Sequence, residues 1–309
     1  MSRIYEALQR ADIERKAAQK AGVPELPEAF SAAGEELVPV GAEELLENIS
    51  LCPWTPTMAS LPTLGERGDT IEQFRSLRSH IHQLRSQAPL KTVLISSGMP
   101  AEGKTLVAVN LAMTLARNKN NGILLIDADL RRPSLHGILG APSTPGLADY
   151  LSGTAEIGDI LQQNQNPTVV VEGHVITIPE ITFIPGGTVG ENSSELLAGQ
   201  RLKELIATLS PHFDWILIDS PPVLAFADAI DIARNADGVL LVARGGSTPY
   251  DVAQRAQAGF SNSRILGFVL NAVREIPRNS AYYYNYNYSY HYAPESTGSE
   301  SPGRKDKRR

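Results

Sequence analysis

Hydrophobic positions in this chain gather into short, nearly unbroken runs, separated by stretches in which apolar residues recur at helical spacing. The runs are Lys91–Ser97 (KTVLISS), Gly122–Asp127 (GILLID), Trp215–Asp219 (WILID), Gly238–Ala243 (GVLLVA) and Ile265–Leu270 (ILGFVL). None alternates as a half-exposed strand does, and runs of this kind belong to parallel strands buried on both faces. The helical stretches between them supply the crossovers that parallel strands need. The pattern predicts an α/β fold, a doubly wound and mostly parallel sheet with helices on both faces. Thr182–Ile184 offers a further strand, and residues 168–178 read as an inserted hairpin with Glu172-Gly173 at its turn.

Outside residues 66–275 the pattern changes. Residues 1–20 set Ile4, Leu8 and Ala11 at helical spacing among Arg3, Arg10, Arg15, Lys16 and Lys20, which predicts a short amphipathic helix. Residues 21–65 are rich in Pro, Ala and Glu and predict a linker. Residues 276–309 predict a disordered tail. It holds seven of the chain's ten tyrosines: Tyr282, Tyr283, Tyr284, Tyr286, Tyr288, Tyr290 and Tyr292. A folded core buries aromatics singly for their contact area. A massed cluster beyond the core is either a sticky low-complexity segment or a substrate.

Composition narrows the classes. The length suits one α/β domain with extended ends, and 42% hydrophobic residues are enough for a core. A net charge of −6 gives no sign of nucleic-acid binding. Cys52 is the sole cysteine, which excludes an internal disulfide framework. No apolar run approaches the ~18–20 residues that span a bilayer, and the N-terminus lacks a signal-peptide core. A cytoplasmic chain is expected, reaching the inner face of the membrane through a partner.

One contiguous motif carries chemistry. Gly98-Met99-Pro100-Ala101-Glu102-Gly103-Lys104-Thr105 fits G-x-x-x-x-G-K-[ST], directly after a strand run and before a helical pattern. Such a loop turns backbone N–H groups onto phosphates at a helix N-terminus. Lys104 would reach the β- and γ-phosphates of ATP, and Thr105 would hold Mg²⁺. Two strand ends add acids. Asp219 closes WILID before Ser220-Pro221-Pro222, the pattern of a Walker B acid, and Asp127 closes ILLID, with Asp129, Arg131 and Arg132 following. Both acid-tipped strands end at the sheet edge where the loop lies and where open α/β sheets bind ligands. Glu72, Arg75 and Arg78 share one face of a helix, a spacing that ordinarily means a solvated charged face.

Together these features resemble the bacterial protein-tyrosine kinases of polysaccharide export. Residues 97–105 match the family's Walker A motif, 123–136 (ILLIDADLRRPSLH) its additional Walker A′, and 216–222 its Walker B. Glu72-Gln-Phe-Arg75-Ser-Leu-Arg78 matches its E-x-x-R-x-x-R oligomerisation helix, and the tyrosine cluster its C-terminus. The N-terminal MSRIYEALQRA also resembles the subgroup tied to exosortase and exopolysaccharide loci.

The resemblance implies an ATP- and Mg²⁺-dependent autokinase. Thr105, Asp129 and Asp219 would hold the metal, Lys104 would stabilise the transferring phosphoryl group, and Asp127 would act as base toward tyrosine. Asn271 would contact adenine, although capping of the last strand is an equal reading. Further implications are a ring-like homo-oligomer, a membrane-embedded co-polymerase as activator and a cognate tyrosine phosphatase. Ala101 departs from the family's usual Gly, so a small change in loop conformation is expected. Two alternatives stand beside this reading. A partitioning-type ATPase would carry a signature lysine where this chain has Met99, and a non-catalytic scaffold would use the tyrosines for assembly.

Overall fold

Each unbroken apolar run folds as a strand. In the computed structural model, which describes residues 49–65, 68–119, 121–171, 173–188, 190 and 193–273, the strands are β1 (Ser50–Cys52), β2 (Thr92–Ser97), β3 (Ile123–Asp127), β4 (Gln162–Asn164), β5 (Thr168–Val171), β6 (His174–Thr177), β7 (Thr182–Ile184), β8 (Trp215–Asp219), β9 (Gly238–Arg244) and β10 (Ile265–Asn271). Eight of them form one sheet in the order β1-β4-β7-β3-β8-β2-β9-β10. Every neighbouring pair is parallel except β4 with β7. The expected N-terminal helix, the linker up to residue 48 and the tyrosine cluster lie outside the described residues.

The central strands are apolar on both sides because both sides are covered. Val93, Ile95, Leu125, Trp215 and Leu217 face one layer, packed with Ile81 of α1 (Asp69–Gln87), Val107 of α2 (Lys104–Ala116) and Leu135 of α3 (Leu135–Leu139). Leu94, Leu124, Ile126, Ile216 and Ile218 face the other. That layer is built from α4 (Leu147–Ser152), α5 (Ile157–Ile160), α6 (Ser193–Ala198), α7 (Gln200–Leu209), α8 (Asp228–Ala233) and α9 (Tyr250–Gly259). Alternation is therefore present but invisible as polarity, the signature of a doubly covered sheet. α2 is buried at every position from Val107 to Ala116, which places the helix following the phosphate-binding motif at the centre of its layer.

The linker expectation fails for residues 49–65, which belong to the folded unit. Ser50–Cys52 pairs in parallel with β4, and Trp54, 2% exposed, packs edge-on against Phe183 with ring centroids 6.1 Å apart. Leu61 and Leu64 are buried, and the side chain of the buried Asn110 accepts from Thr63 N and Oγ1 and donates to Ser60 O. Pro53, Pro56 and Pro62 break any helical or strand period here. Trp54, Leu61 and Leu64 consequently anchor the segment without announcing an element.

The inserted hairpin is β5 paired with β6, with Val171 opposite His174 across the turn that contains Gly173. Val169 and Ile176 face the core, whereas Val170 and Val175 are exposed. An open cavity of about 1340 Å³ lies under this hairpin, bordered by Ile123 and Thr182 at the starts of β3 and β7. The phosphate-binding loop sits at the opposite ends of the strands.

Candidate active site

The loop between β2 and α2 is fixed by glycines at its two ends. A Cβ on Gly98 would lie 3.1 Å from Val252 and 3.3 Å from Ala256 of α9, so glycine lets the loop leave β2 close to that helix without displacing either side chain. Gly103 has φ +95°, and a Cβ there would lie 1.9 Å from Asn271 Nδ2. Between them Ala101 holds φ +63°, the left-handed region that costs an L-residue about 1–2 kcal/mol. Ala101 thus stands in a backbone conformation that glycine adopts without cost.

Lys104 opens α2 and is 13% exposed in its side chain. Its ammonium donates to Asp129 Oδ2 at 2.8 Å, stands 3.8 Å from Asp219 Oδ1 and reaches Thr105 Oγ1 at 3.3 Å. Burial disfavours the charged amine, but Asp219 and Asp129 together outweigh it and hold its pKa above the ordinary lysine value. Asp219 is wholly buried. Both its carboxylate oxygens lack a hydrogen bond of good geometry, and burial raises its pKa to about 6 against the opposing pull of Lys104 and Thr105.

A buried carboxylate without a full set of donors is an incomplete site. Asp219, with the Thr105 hydroxyl and Asp129 beside it, forms an all-oxygen donor set of the kind Mg²⁺ takes alongside phosphates and water. The residues present fit that ion, and the Lys104 ammonium lies beside the same carboxylates. No self-contained cluster of three or more His, Cys, Asp or Glu exists among the described residues.

Asp127, at the tip of β3, is buried at 0% exposure. Its Oδ2 accepts from Ser134 N and Leu135 N at 2.9 and 3.0 Å, capping α3, and its Oδ1 accepts from Asp129 N at 3.3 Å. Burial and then Asp219 push its carboxyl to about 7, against the two backbone donors. Asp129 is the more accessible acid, at 6% exposure.

Asn271 ends β10 against the loop, with its Nδ2 donating to Glu102 O at 2.9 Å and its Oδ1 accepting from Ala272 N. The structure thus brings Lys104, Thr105, Asp127, Asp129, Asp219 and Asn271 to one sheet edge, as the strand ends require. Glu72 and Arg75 lie on α1 and pair with each other at 2.5 Å. Arg78 donates instead to Thr114 O at 3.1 Å, satisfying a carbonyl near the C-terminus of α2.

A contact across a long sequence separation gives Arg131 a role that its place in the 123–136 motif does not specify. Arg131 forms two hydrogen bonds with Asp228, at 2.8 and 3.4 Å, and lies 4.1 Å over the Phe226 ring. It ties the segment after β3 to the one after β8. The only sequence signal was an arginine two residues beyond Asp129.

A parallel sheet carrying a glycine loop, its lysine and two acid-tipped strands defines a nucleotide-binding P-loop protein of the doubly wound class. Comparison with known proteins refines this. The AAA domain family model AAA_31 matches residues 91–250. Tyrosine-protein kinase YwqD of Bacillus subtilis is 32% identical over 215 residues, covering 69% of this chain and 85% of the relative. Tyrosine-protein kinase CpsD of Streptococcus agalactiae is 33% identical over 215 residues, covering 69% and 86%. Tyrosine-protein kinase wzc of Salmonella typhimurium is 34% identical over 205 residues, 66% of this chain but only 27% of that longer protein. Among solved structures, the kinase domain of Escherichia coli tyrosine kinase ETK superposes with a TM-score of 0.60 at 26% identity, over 84% of this chain and 98% of that one. The BceF tyrosine kinase domain gives 0.59 at 28%, over 76% and 98%. The chain belongs to the bacterial tyrosine-protein kinases.

Proposed function

We propose that this chain is an ATP-dependent tyrosine autokinase that phosphorylates the tyrosines of residues 282–292 on a neighbouring copy. The observation that carries the reading is Lys104 Nζ held between Asp129, just after β3, and Asp219, at the end of β8. The loop N–H groups and the α2 N-terminus would bind the phosphates of ATP, and Lys104 would turn from Asp129 to the β- and γ-phosphates. Thr105, Asp129 and Asp219 would hold Mg²⁺, which when bound offsets phosphate charge. Asp127 has a pKa suited to a base near neutral pH. It would take the tyrosine proton after leaving its hydrogen bonds to Ser134 and Leu135, a rearrangement that belongs to the substrate-bound state.

Seven tyrosines close together in sequence raise the local concentration of acceptors around neighbouring sites. Each phosphate adds up to about −2 charge, so a modified cluster repels itself and favours release of the assembly. We assign the protein to exopolysaccharide polymerisation and export. A membrane co-polymerase would serve as activator at the inner face of the membrane, and a tyrosine phosphatase would reset the tail. No helix among the described residues is long and apolar enough to cross a membrane.

Mass spectrometry after incubation of the full chain with Mg·ATP should show stepwise 80-Da additions (from the mass of one phosphoryl group, on the order of 80 Da) mapping to residues 282–292. ATP hydrolysis without phosphotyrosine, with an activating co-polymerase present, would mean a switch ATPase instead.

The oligomer is proposed to form through α1. Because Arg78 already serves α2, the intermolecular contact falls chiefly to the exposed Glu72–Arg75 pair. Light scattering on Glu72→Ala/Arg75→Ala should report a smaller particle with an unchanged thermal midpoint. Arg78→Ala should also lower the midpoint, since the Thr114 carbonyl loses its donor. An unchanged mass for the double variant contradicts the contact.

A further inference from the structure

Glu102 sits inside the nucleotide-binding motif, yet its carboxylate is engaged by other protein groups, Met99 N and the Thr248 hydroxyl. The residue is 4% exposed. Its Oε2 accepts from Met99 N at 2.7 Å, closing the loop on itself, and its Oε1 accepts from the Thr248 hydroxyl. Thr248 is in turn fixed by Arg244 N, which donates to Thr248 Oγ1 at 2.8 Å. The same segment sends Arg244 NH1 to Ala101 O at 3.3 Å. Asn271, at the end of the neighbouring strand, holds Glu102 O. Three tethers, from Arg244 at the end of β9, Thr248 in the connection that follows it and Asn271 at the end of β10, therefore converge on residues 101 and 102.

Those two residues are where the loop needs holding. Ala101 is left-handed at φ +63° and Gly103 follows at +95°. Alanine prefers the right-handed side, so a free loop would spend much of its time out of the phosphate-binding shape. A conformation of this kind persists only where its surroundings over-determine it, and the tethers do that. A negative side chain in a phosphate loop would otherwise oppose binding. Here the carboxylate takes its donors from Met99 N and Thr248 Oγ1, which fix where that charge sits.

We infer that Thr248 and Glu102 are positioning residues that lock the phosphate-binding loop in its strained, binding-competent shape from the β9–α9 connection. The inference rests on the nucleotide-binding reading of the site but not on tyrosine as the acceptor. The apparent affinity for nucleotide scales with the fraction of loop in the competent shape. Breaking the lock acts on binding, while the positions of Lys104, Asp129 and Asp219 stay as they are.

The test measures the affinity of the full chain for Mg·ADP by calorimetry, and the KM for ATP against kcat. Thr248→Val should weaken Mg·ADP binding about 10-fold or more, raise KM in proportion and leave kcat within about 2-fold, because catalytic groups are untouched. Thr248→Ser keeps the hydroxyl and should restore binding. The decisive arm is Ala101→Gly, which removes the cost of the left-handed loop. It should improve affinity more in the Thr248→Val background than in the wild type. If Thr248→Val fails to fold, Thr248→Ala with the same Ala101→Gly partner gives the same comparison. Wild-type affinity in Thr248→Val and Thr248→Ala, or an equal gain from Ala101→Gly in both backgrounds, overturns the inference. If no form of the protein binds Mg·ADP, the nucleotide reading itself fails.

Discussion

Lys104→Met is expected to abolish phosphotyrosine formation, with a fall in rate of about 10³-fold or more. Lys104 is the only cation placed within 4 Å of Asp129 and Asp219 among the described residues, and it opens α2 directly below the loop. Methionine keeps the length and the helix but cannot neutralise charge on a transferring phosphoryl group. The substitution has a second effect that can be read without ATP. It removes the main influence lowering the Asp219 pKa, so that carboxyl moves further above its value of about 6. A folded pKa above the unfolded value of about 3.9 means that the native state binds a proton the unfolded chain lacks. Stability therefore falls as pH rises through that window. The ligand-free variant should show a lower thermal midpoint than wild type at pH 8, with the gap narrowing toward pH 5. A midpoint difference independent of pH contradicts the pairing described here.

Gly103→Ala should damage nucleotide binding itself, for a steric reason. The position has φ +95°, outside the range an alanine adopts cheaply, and its Cβ would fall 1.9 Å from Asn271 Nδ2. Asn271 cannot swing aside without releasing Glu102 O and Ala272 N. Backbone strain of about 1–3 kcal/mol and the lost tether together predict nucleotide affinity reduced by roughly 100-fold or more, about 2.7 kcal/mol. Calorimetry with Mg·ADP checks this. Binding within a few-fold of wild type would show that the loop does not need glycine at this point.

How much of this was legible in the sequence depended on separation along the chain. β2, β3, β8, β9 and β10 were readable because full burial writes itself as unbroken apolar runs. The phosphate loop was readable because its parts are contiguous, and Asp127 and Asp219 because strand ends in a parallel sheet share one edge. Residues 49–65 were misread, since Trp54, Leu61 and Leu64 are spaced by prolines rather than by any period. The tethers on the loop were not readable at all: Thr248 lies 146 residues from Glu102, and Asn271 lies 169 away. Arg78 shows a related limit. Its spacing with Glu72 and Arg75 suggests a shared face, yet its guanidinium is engaged by α2. A one-dimensional pattern places a side chain on a helix but does not choose its partner.

The central claim is transfer of phosphate from ATP to the tyrosine cluster of another copy, and mixing two defective proteins tests it most directly. Full-length Lys104→Met would supply acceptor tyrosines without catalysis. Chain ending at residue 275 would supply catalysis without those tyrosines. Incubated together with Mg·ATP and an activating co-polymerase, the pair should yield phosphotyrosine on residues 282–292 of the Lys104→Met chain, while neither yields it alone. Recovery of phosphotyrosine by the full-length wild type but not by the mixture would contradict transfer between copies, and its absence from all three would contradict the kinase account.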